Sequence, residues 1–163
     1  MSGDPRTLRE RKLGAPGKGD EPAQTLAFAP ENAEILALLV NEPLIALGGG
    51  QVLFTEGDPP TSMYVVKSGA LRIRSGGVIY EDVGAGGIVG EMALVEHYPA
   101  RSATVYALTD SELVAVDEAR FSALVAEAPR FALRVMQILS RRLRAMDRRY
   151  RPEPLVAREP LEP

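Results

Sequence analysis

Hydrophobic residues between positions 44 and 117 occur in short runs separated by segments rich in glycine and proline. The runs read LIAL, QVLFT, SMYVVK, ALRIRS, VIYEDV, ATVYAL and ELVAVD, and the separators include GGG, EGDPP, SG, SGG and GAGG. Runs of this kind are typical of strands, and the glycines supply the backbone conformations that tight turns require. Because no long helical pattern alternates with the runs, they predict an antiparallel barrel or jelly roll and not a parallel α/β sheet.

Helical patterns flank this β-rich region. Pro30 begins a short apolar helix that ends near Asn41, and the sequence MALV after Glu91 predicts a helical turn between two strands. Asp117 is the predicted N-cap of EARFSALVAEA, and Pro129 separates that helix from a longer one that ends near residue 151. The sequence therefore predicts a mainly β fold with helical ends: an antiparallel β jelly-roll barrel with an N-terminal helix, a short inserted helix and two C-terminal helices.

Apolar residues of the long helix recur about every 3.5 residues, which is the spacing of a coiled coil. They are Ala132, Met136, Leu139, Leu143, Met146 and Tyr150. A seam of this spacing favours pairing with another helix, in a homodimer or with a different protein. An ordinary amphipathic helix instead buries its stripe on its own domain. Both arrangements stay open from the sequence.

The two ends of the chain differ from its middle. Residues 1–25 and 151–163 have too few apolar residues to offset the entropy of ordering, so we expect disordered tails. Residues 26–150 are the predicted domain, and 163 residues suit one domain of this kind. The start has no apolar signal segment, and no run approaches the ~20 apolar residues of a membrane span, so we expect a soluble cytoplasmic protein.

The lack of cysteine and the single histidine, His97, restrict the chemistry. Thiolate metal sites, cysteine nucleophiles, catalytic triads of the usual form and metal sites that need two imidazoles are excluded. We therefore expect no metal, no cofactor and no catalytic residue. A cupin enzyme, the rival with a similar barrel, would need two or three histidines. His97 is expected in a solvent-facing loop.

Charge is unevenly distributed, although the formal net charge is −3. Residues 130–151 contain eight arginines and one acidic residue, Asp147. Clustered arginines raise the question of nucleic-acid binding. This cluster lies on one helix, has Tyr150 as its one interleaved aromatic, and is followed by no second helix of a helix–turn–helix unit. Nucleic acid is therefore not the expected partner.

Glu91 and Arg101 frame the stretch EMALVEHYPAR, which carries the candidate binding chemistry. A helix that begins at Glu91 would point free backbone N–H groups at an anion. Arg101 opens the next predicted strand and, with Ser102 and Thr104, would add a cation and hydroxyl donors. Glu91 would accept a hydrogen bond from a hydroxyl of the same ligand, and a ligand with a phosphate and a neighbouring hydroxyl is a nucleotide. A surface salt bridge between Glu91 and Arg101 accounts for the same spacing, which by itself does not separate the two.

Two motif blocks carry a family resemblance. They are VLFTEGDPPTSMYVVKSGALRI, with Gly57, Asp58, Tyr64 and Gly69 at turn and strand positions, and IVGEMALVEHYPARSATV. On these blocks, the span from about residue 26 to residue 150 resembles the cyclic nucleotide-binding domain of the catabolite activator protein family, which also occurs in cyclic nucleotide-dependent kinases and channels. The second block is similar to the phosphate-binding cassette of that family. It departs from the usual pattern in Ala100, which separates the proline from the arginine, and in GAGGI, which precedes the cassette.

The resemblance implies a role for each cassette residue. Glu91 would accept from the ribose 2′-OH, Arg101 would pair with the cyclic phosphate, and Ser102 would donate its hydroxyl and backbone N–H. Met146 and Asp147 of the long helix would meet the base, with Asp147 as a hydrogen-bond acceptor. The complete implied contact set is Val83, Val89, Gly90, Glu91, Met92, Ala93, Arg101, Ser102, Ala103, Arg142, Met146 and Asp147.

The resemblance also implies a regulatory mechanism and not an enzyme. Ligand would draw the short cassette helix inward and let the long helix pivot near Pro129 as a lid. cAMP is the expected ligand, with cGMP as the alternative. The sequence ends about where transcription factors of this family begin their DNA-binding domain, so we expect a sensor that controls another molecule. The alternatives are an interaction module that no longer binds ligand, or a fragment of a larger regulator.

Overall fold

A computed structural model describes residues 32–96 and 99–150 of the chain, without the side chains of residues 149 and 150. This part contains eight strands and four helices. In chain order they are α1 Ala33–Leu38, β1 Leu44–Leu47, β2 Val52–Phe54, β3 Ser62–Ser68, β4 Leu71–Ser75, β5 Val78–Val83, β6 Ile88–Val89, α2 Met92–Val95, β7 Thr104–Ala107, β8 Ser111–Asp117, α3 Glu118–Glu127 and α4 Pro129–Tyr150. The predicted tails and His97 lie outside the described residues.

The strands form two antiparallel four-stranded sheets, which we call sheet A and sheet B. Sheet A has the order β1-β8-β3-β6, and sheet B has the order β2-β7-β4-β5. The predicted mainly β, antiparallel fold is confirmed, but the strands make two separate facing sheets and not one closed barrel. All seven predicted runs became strands. The sequence missed β6, which is only two residues long and pairs Val89 with Tyr64 and Ile88 with Val65.

Two hydrophobic cores hold these layers together. The first lies between the sheets and includes Phe54, Tyr64 and Leu71, and the second lies between sheet A and helices α1, α3 and α4. β3 supplies both cores, because residues 64 and 66 belong to the inter-sheet core and residues 63 and 65 to the helical core. A strand buried on both faces reads as a continuous apolar run, which explains MYVV.

The C-terminal helices begin where the sequence predicts. The Asp117 side chain accepts a hydrogen bond from the backbone N–H of Arg120 at 2.8 Å, as expected of an N-cap. Pro129 is the first residue of α4, a position that tolerates its missing N–H. Phe131 and Val135 are buried in the helical core, whereas most side chains beyond Leu139 are exposed. α4 is therefore packed in the helical core along its first half and is mostly exposed along its second. No helix in the described ranges has the length and apolar character that crossing a membrane requires.

Candidate functional site

A cavity of about 630 Å³ lies between sheet B, the cassette helix α2 and the second half of α4. Its volume falls within the range typical of small-molecule sites. Nine of the predicted contact residues line it: Gly90, Glu91, Met92, Ala93, Arg101, Ser102, Ala103, Arg142 and Met146. The fold thus gathers residues from the cassette and from a helix about 50 positions further along the chain. Whether these side chains contact a nucleotide stays a prediction.

Arg101 is a buried cation in the wall of this cavity. Its side chain is buried, with only 5% of the residue exposed. Nη2 donates to the carbonyl oxygen of Ser62 at 2.7 Å, and Nη1 donates to that of Gly90 at 3.2 Å. The guanidinium also stacks over the Phe54 ring, with Cζ 4.1 Å from the ring centroid. The surface salt bridge with Glu91 that the spacing left open is wrong, because Arg101 is buried and bonds to carbonyl groups.

The electrostatic setting of Arg101 favours an anionic partner. Burial lowers the pKa of the guanidinium, and the nearby groups Tyr64, Asp58 and Glu91 oppose that shift. Nε of Arg101 is buried and has no hydrogen-bond partner among the described residues. A buried cation with an unpaired donor is costly, so such groups are usually matched by a charge or a ligand.

Glu91 occupies the N-cap position of α2 and is also buried, at 4% exposure. Gly90 before it has φ +75°, a left-handed conformation that glycine adopts easily. The glycine also makes room for the cation, because a Cβ on Gly90 would lie 2.5 Å from Nη1 of Arg101 and 3.3 Å from the Phe54 ring. The chain therefore needs glycine here for both its conformation and its lack of a side chain.

The guanidinium of Arg142 on α4 lies between two carboxylates and donates a hydrogen bond to each. Its Nη1 donates to Glu91 at 2.8 Å, its Nε to Glu81 at 2.6 Å, and its Nη2 to the carbonyl oxygen of Ile88 at 2.6 Å. Burial works to lower the pKa of Arg142, but the charges of Glu91 and Glu81 outweigh it and raise the pKa. These contacts hold the second half of α4 against the cavity.

The cassette loop after α2 differs slightly from the sequence prediction. β7 begins at Thr104, so Arg101 and Ser102 lie in the loop before the strand and do not open it. Ser102 is exposed, and its hydroxyl donates a weak hydrogen bond to the sulfur of Met92 at 3.4 Å. The Ala93 N–H donates to the carbonyl of Gly90 at 3.3 Å, closing the first turn of α2. Ser102 thus keeps a donor near the cavity that a weak thioether contact does not saturate.

Three predicted contact residues do not line the cavity. Val83 and Val89 are buried in the inter-sheet core. Val83 pairs with Leu71 in sheet B, two residues beyond the Ile73–Glu81 pair, whose two residues line the cavity. Asp147 is exposed, because it follows Met146 by one residue and therefore points about 100° further around the helix. The sequence located these residues correctly in the fold but could not decide which way each side chain faces.

The sequence prediction missed several residues that line the cavity. They are Phe54, Ile73, Ser75, Tyr80, Glu81, Ala100, Val105, Arg141 and Ala145. Two of them had a signal in the sequence. Phe54 belongs to the first motif block. Glu81 lies two residues before Val83, so the side chains of Glu81 and Val83 share one face of β5. An acid on that inward face indicates a buried cationic partner, which the structure identifies as Arg142.

Residues 44–128 match the family model of the cyclic nucleotide-binding domain. This span is more than half of the chain, and the chain belongs to that family. The match begins at the first residue of β1 and ends just before α4, so it includes both sheets and the cassette.

Similar proteins place the domain in longer regulators and enzymes. Lysophospholipase NTE1 of Chaetomium globosum is 32% identical over 107 residues, which is 63% of this chain but 7% of the fungal protein. The catabolite activator protein of Thermus thermophilus superposes with a TM-score of 0.59 at 31% identity, over 73% of this chain and 57% of that one. The c-di-GMP responsive global regulator CLP of Xanthomonas campestris superposes with a TM-score of 0.63 at 25% identity, over 71% and 61%. The matched part is therefore a minor share of the enzyme and less than two thirds of either regulator.

Proposed function

We propose that this chain is a sensor that binds a cyclic mononucleotide and is not itself an enzyme. The observation that carries the proposal is Arg101, a buried guanidinium with an unpaired Nε at the wall of a nucleotide-sized cavity. Membership of the cyclic nucleotide-binding family supports the ligand class. A cyclic phosphate would supply the negative charge that this buried cation lacks.

The lining residues suggest how the ligand would lie. The cyclic phosphate would meet Arg101 and the hydroxyl of Ser102, while the ribose 2′-OH would donate to Glu91. The base would then extend toward Ile73 and Tyr80 on sheet B and toward Met146 on α4, all of which line the cavity. This arrangement matches charge to charge at one end and apolar surface to the base at the other.

Ligand binding would change the contacts of α4. In the structure, Arg142 forms an ion pair with the Glu91 carboxylate, to which the ribose 2′-OH would donate. A bound nucleotide would therefore have to share Glu91 with Arg142 or displace it. Because only a ligand that prefers one helix position can shift the population of positions, this shared carboxylate couples occupancy to the placement of α4.

We propose cAMP as the ligand, with cGMP as the alternative. Arg142 forms ion pairs with Glu81 and Glu91, the two carboxylates that line the cavity, and Asp147 does not line it. Among the described residues, the cavity therefore offers the guanine edge no carboxylate that is not already paired. CLP is described as c-di-GMP responsive, so a cyclic dinucleotide belongs among the ligands to be tested. No cofactor or metal enters this proposal.

We further propose that the sensor acts in the cytoplasm through its long helix, on a second copy or a protein partner. Leu133, Met136, Leu143 and Met146 of α4 are exposed, and they supply most of an apolar stripe that their own domain does not cover. Since the matched domain is a small part of the fungal lysophospholipase, any catalytic output would belong to other parts of such proteins.

Thermal unfolding with and without nucleotide tests the proposal. About 22 ligand heavy atoms at roughly 0.3 kcal/mol each correspond to about 7 kcal/mol, or micromolar to tens of micromolar affinity. A nucleotide at 100 times its dissociation constant should stabilise the folded chain by about 2.7 kcal/mol. The experiment uses cAMP, cGMP and c-di-GMP in parallel, with AMP as the non-cyclic control. If none of them raises the midpoint, the chain is instead an interaction module without a nucleotide.

A further inference from the structure

We infer that Phe54 is a positioning residue for nucleotide binding, because its ring holds the guanidinium of Arg101 in a fixed plane. The inference rests on the proposed function, since it concerns how the arginine is prepared for a phosphate. Phe54 lines the cavity and also belongs to the inter-sheet core. It therefore connects the rigid interior of the domain to the one cation that the ligand would need.

The contacts around Arg101 define the orientation of its guanidinium. The Phe54 ring lies against the guanidinium, with Cζ 4.1 Å from the ring centroid, and the Tyr64 ring is at 5.8 Å. The carbonyl groups of Ser62 and Gly90 each accept from one terminal nitrogen. Together the ring and the two carbonyls fix the tilt and the rotation of the group, and Nε is the nitrogen left without a partner.

Phe54 is itself held in place by its neighbours. Its ring lies 6.0 Å from that of Tyr64, with an angle of 30° between the ring planes. Tyr64 is buried in the middle of β3, and that strand pairs along most of its length with β8. The two rings thus form a rigid support for Arg101, and the left-handed Gly90 lies next to both Nη1 of Arg101 and the Phe54 ring without a side chain of its own.

A leucine at position 54 would fill much of the same volume but would remove the electrostatic support. The face of an aromatic ring carries negative charge density, and it attracts a desolvated cation more strongly than an exposed one. Aliphatic groups have no such face. With leucine, the buried guanidinium would keep its two carbonyl partners but lose the aromatic surface that fixes the orientation of its plane. The expected consequence is weaker phosphate binding with a folded domain.

Calorimetric titration with cAMP and with cGMP tests this role. F54L should weaken the better of the two ligands at least tenfold, whereas F54Y, which keeps the ring, should stay within about threefold of the unmodified chain. The matched control is F121L, which removes an aromatic ring from the helical core and not from the core that contains Phe54. Phe121 packs there in an edge-to-face arrangement with Phe131. F121L should cost stability and leave affinity within about threefold.

A double-mutant cycle separates positioning from simple loss of packing. If Phe54 acts through the Arg101 guanidinium, F54L should change affinity by less than about threefold in an R101L background, because no cation remains at position 101 for the ring to hold. NMR titrations to millimolar nucleotide measure these weaker affinities.

Each result has a distinct meaning. Equal binding by F54L and the unmodified chain overturns the inference and leaves the sensor proposal standing. A tenfold loss that persists in the R101L background also overturns it, since Phe54 would then act independently of the guanidinium. Absence of binding by the unmodified chain overturns the sensor proposal and the inference together.

Discussion

At the residue scale, the site depends on a cation placed where burial disfavours it. Arg101 has lost most of its water, and burial lowers its pKa. Two carbonyl groups and an aromatic face compensate in part, while Nε stays unpaired. Because the Arg101 guanidinium loses its water when the domain folds, a phosphate that binds later would not have to desolvate it. We therefore expect the phosphate to interact more strongly with this guanidinium than with an exposed one.

The first prediction concerns Arg101 itself. R101L should weaken nucleotide binding by at least about 2 kcal/mol, or roughly thirtyfold, because the phosphate would be buried without its counter-charge. Calorimetry measures the loss directly. R74L is the control, since Arg74 is an exposed arginine of β4 that does not line the cavity. Unchanged affinity in R101L would refute the assignment of the phosphate site.

The second prediction concerns Gly90, where two requirements coincide. G90A should reduce both the free energy of unfolding and ligand affinity, because a Cβ would strain the left-handed backbone and crowd Arg101 and Phe54. G50A is a matched control: Gly50 has φ +81°, and a Cβ there meets nothing within 4 Å. G50A should cost about 1–2 kcal/mol of stability and leave affinity unchanged. If both variants bind equally well, the crowding argument fails.

At the element scale, α4 is secured in two different ways. Its first half is packed by apolar side chains, including Phe131 and Val135 in the helical core. Its second half is tied to the domain by the ion pairs of Arg142 with Glu81 and Glu91. If a nucleotide uses the Glu91 carboxylate, as we propose, the ion-paired half of the helix would respond to it and the apolar half would not.

The third prediction tests this division of α4. E81Q should raise hydrogen exchange of the amides at 141–148 by about three- to tenfold, because it removes one charge partner of Arg142. Exchange near residues 131–135 should not change. The control is E34Q, since the pairs of Glu34 with Arg130 and Arg134 are long, at 3.5 and 4.0 Å, and lie near the packed half. Faster exchange at both ends of the helix would contradict the two-part description.

At the scale of the whole molecule, the domain leaves an apolar stripe of α4 uncovered. Leu143 is 69% exposed, Leu133 54%, Met136 52% and Met146 41%, while Phe131 and Val135 of the same helix are buried. Met136, Leu143 and Met146 belong to the predicted seam, and we propose that this stripe pairs with a partner helix. A parallel pair of identical helices would bury these residues symmetrically.

The fourth prediction follows from that arrangement. The unmodified chain should sediment as a dimer at tens of micromolar concentration, and L143E should sediment as a monomer, because a charge would enter the apolar seam. V78E is the control, since Val78 is a comparably exposed apolar residue, at 56%, on β5 and outside α4. A monomer in the unmodified chain, with and without nucleotide, would favour a different protein as the partner of the helix.

Local patterns in the sequence predicted much of the fold. Seven strands, the Asp117 cap and the start of α4 at Pro129 all depend on residues within a few positions of one another. β6 was missed because two residues are too short to show a pattern, and its existence depends on pairing with β3. The jelly-roll fold was predicted, but its division into two separate sheets was not, because edge pairing is decided by strands far apart in the chain.

The binding site divides in the same manner. The cassette residues from Gly90 to Ala103 were predictable because their motif is contiguous, and the structure lines one cavity with them. Arg142 was also predicted, and it lines the same cavity, whereas Phe54 and Glu81 were missed because their places at the cavity depend on how separate elements pack. Asp147 shows most clearly what a local pattern does not predict. It follows the cavity-lining Met146 by one residue, so its side chain points about 100° further around the helix and is exposed.

The sequence by itself determined the antiparallel β architecture, the helical ends and the presence of a cation and an acid ten residues apart. These properties follow from turn residues, strand periodicity and a contiguous motif, all of which act over short distances along the chain. Only the tertiary structure decided that Arg101 is buried against Phe54, that Glu91 pairs with Arg142, and that Val83, Val89 and Asp147 face elsewhere. The physical reason is that burial and side-chain direction are set by the packing of sheets and helices, which no local pattern encodes.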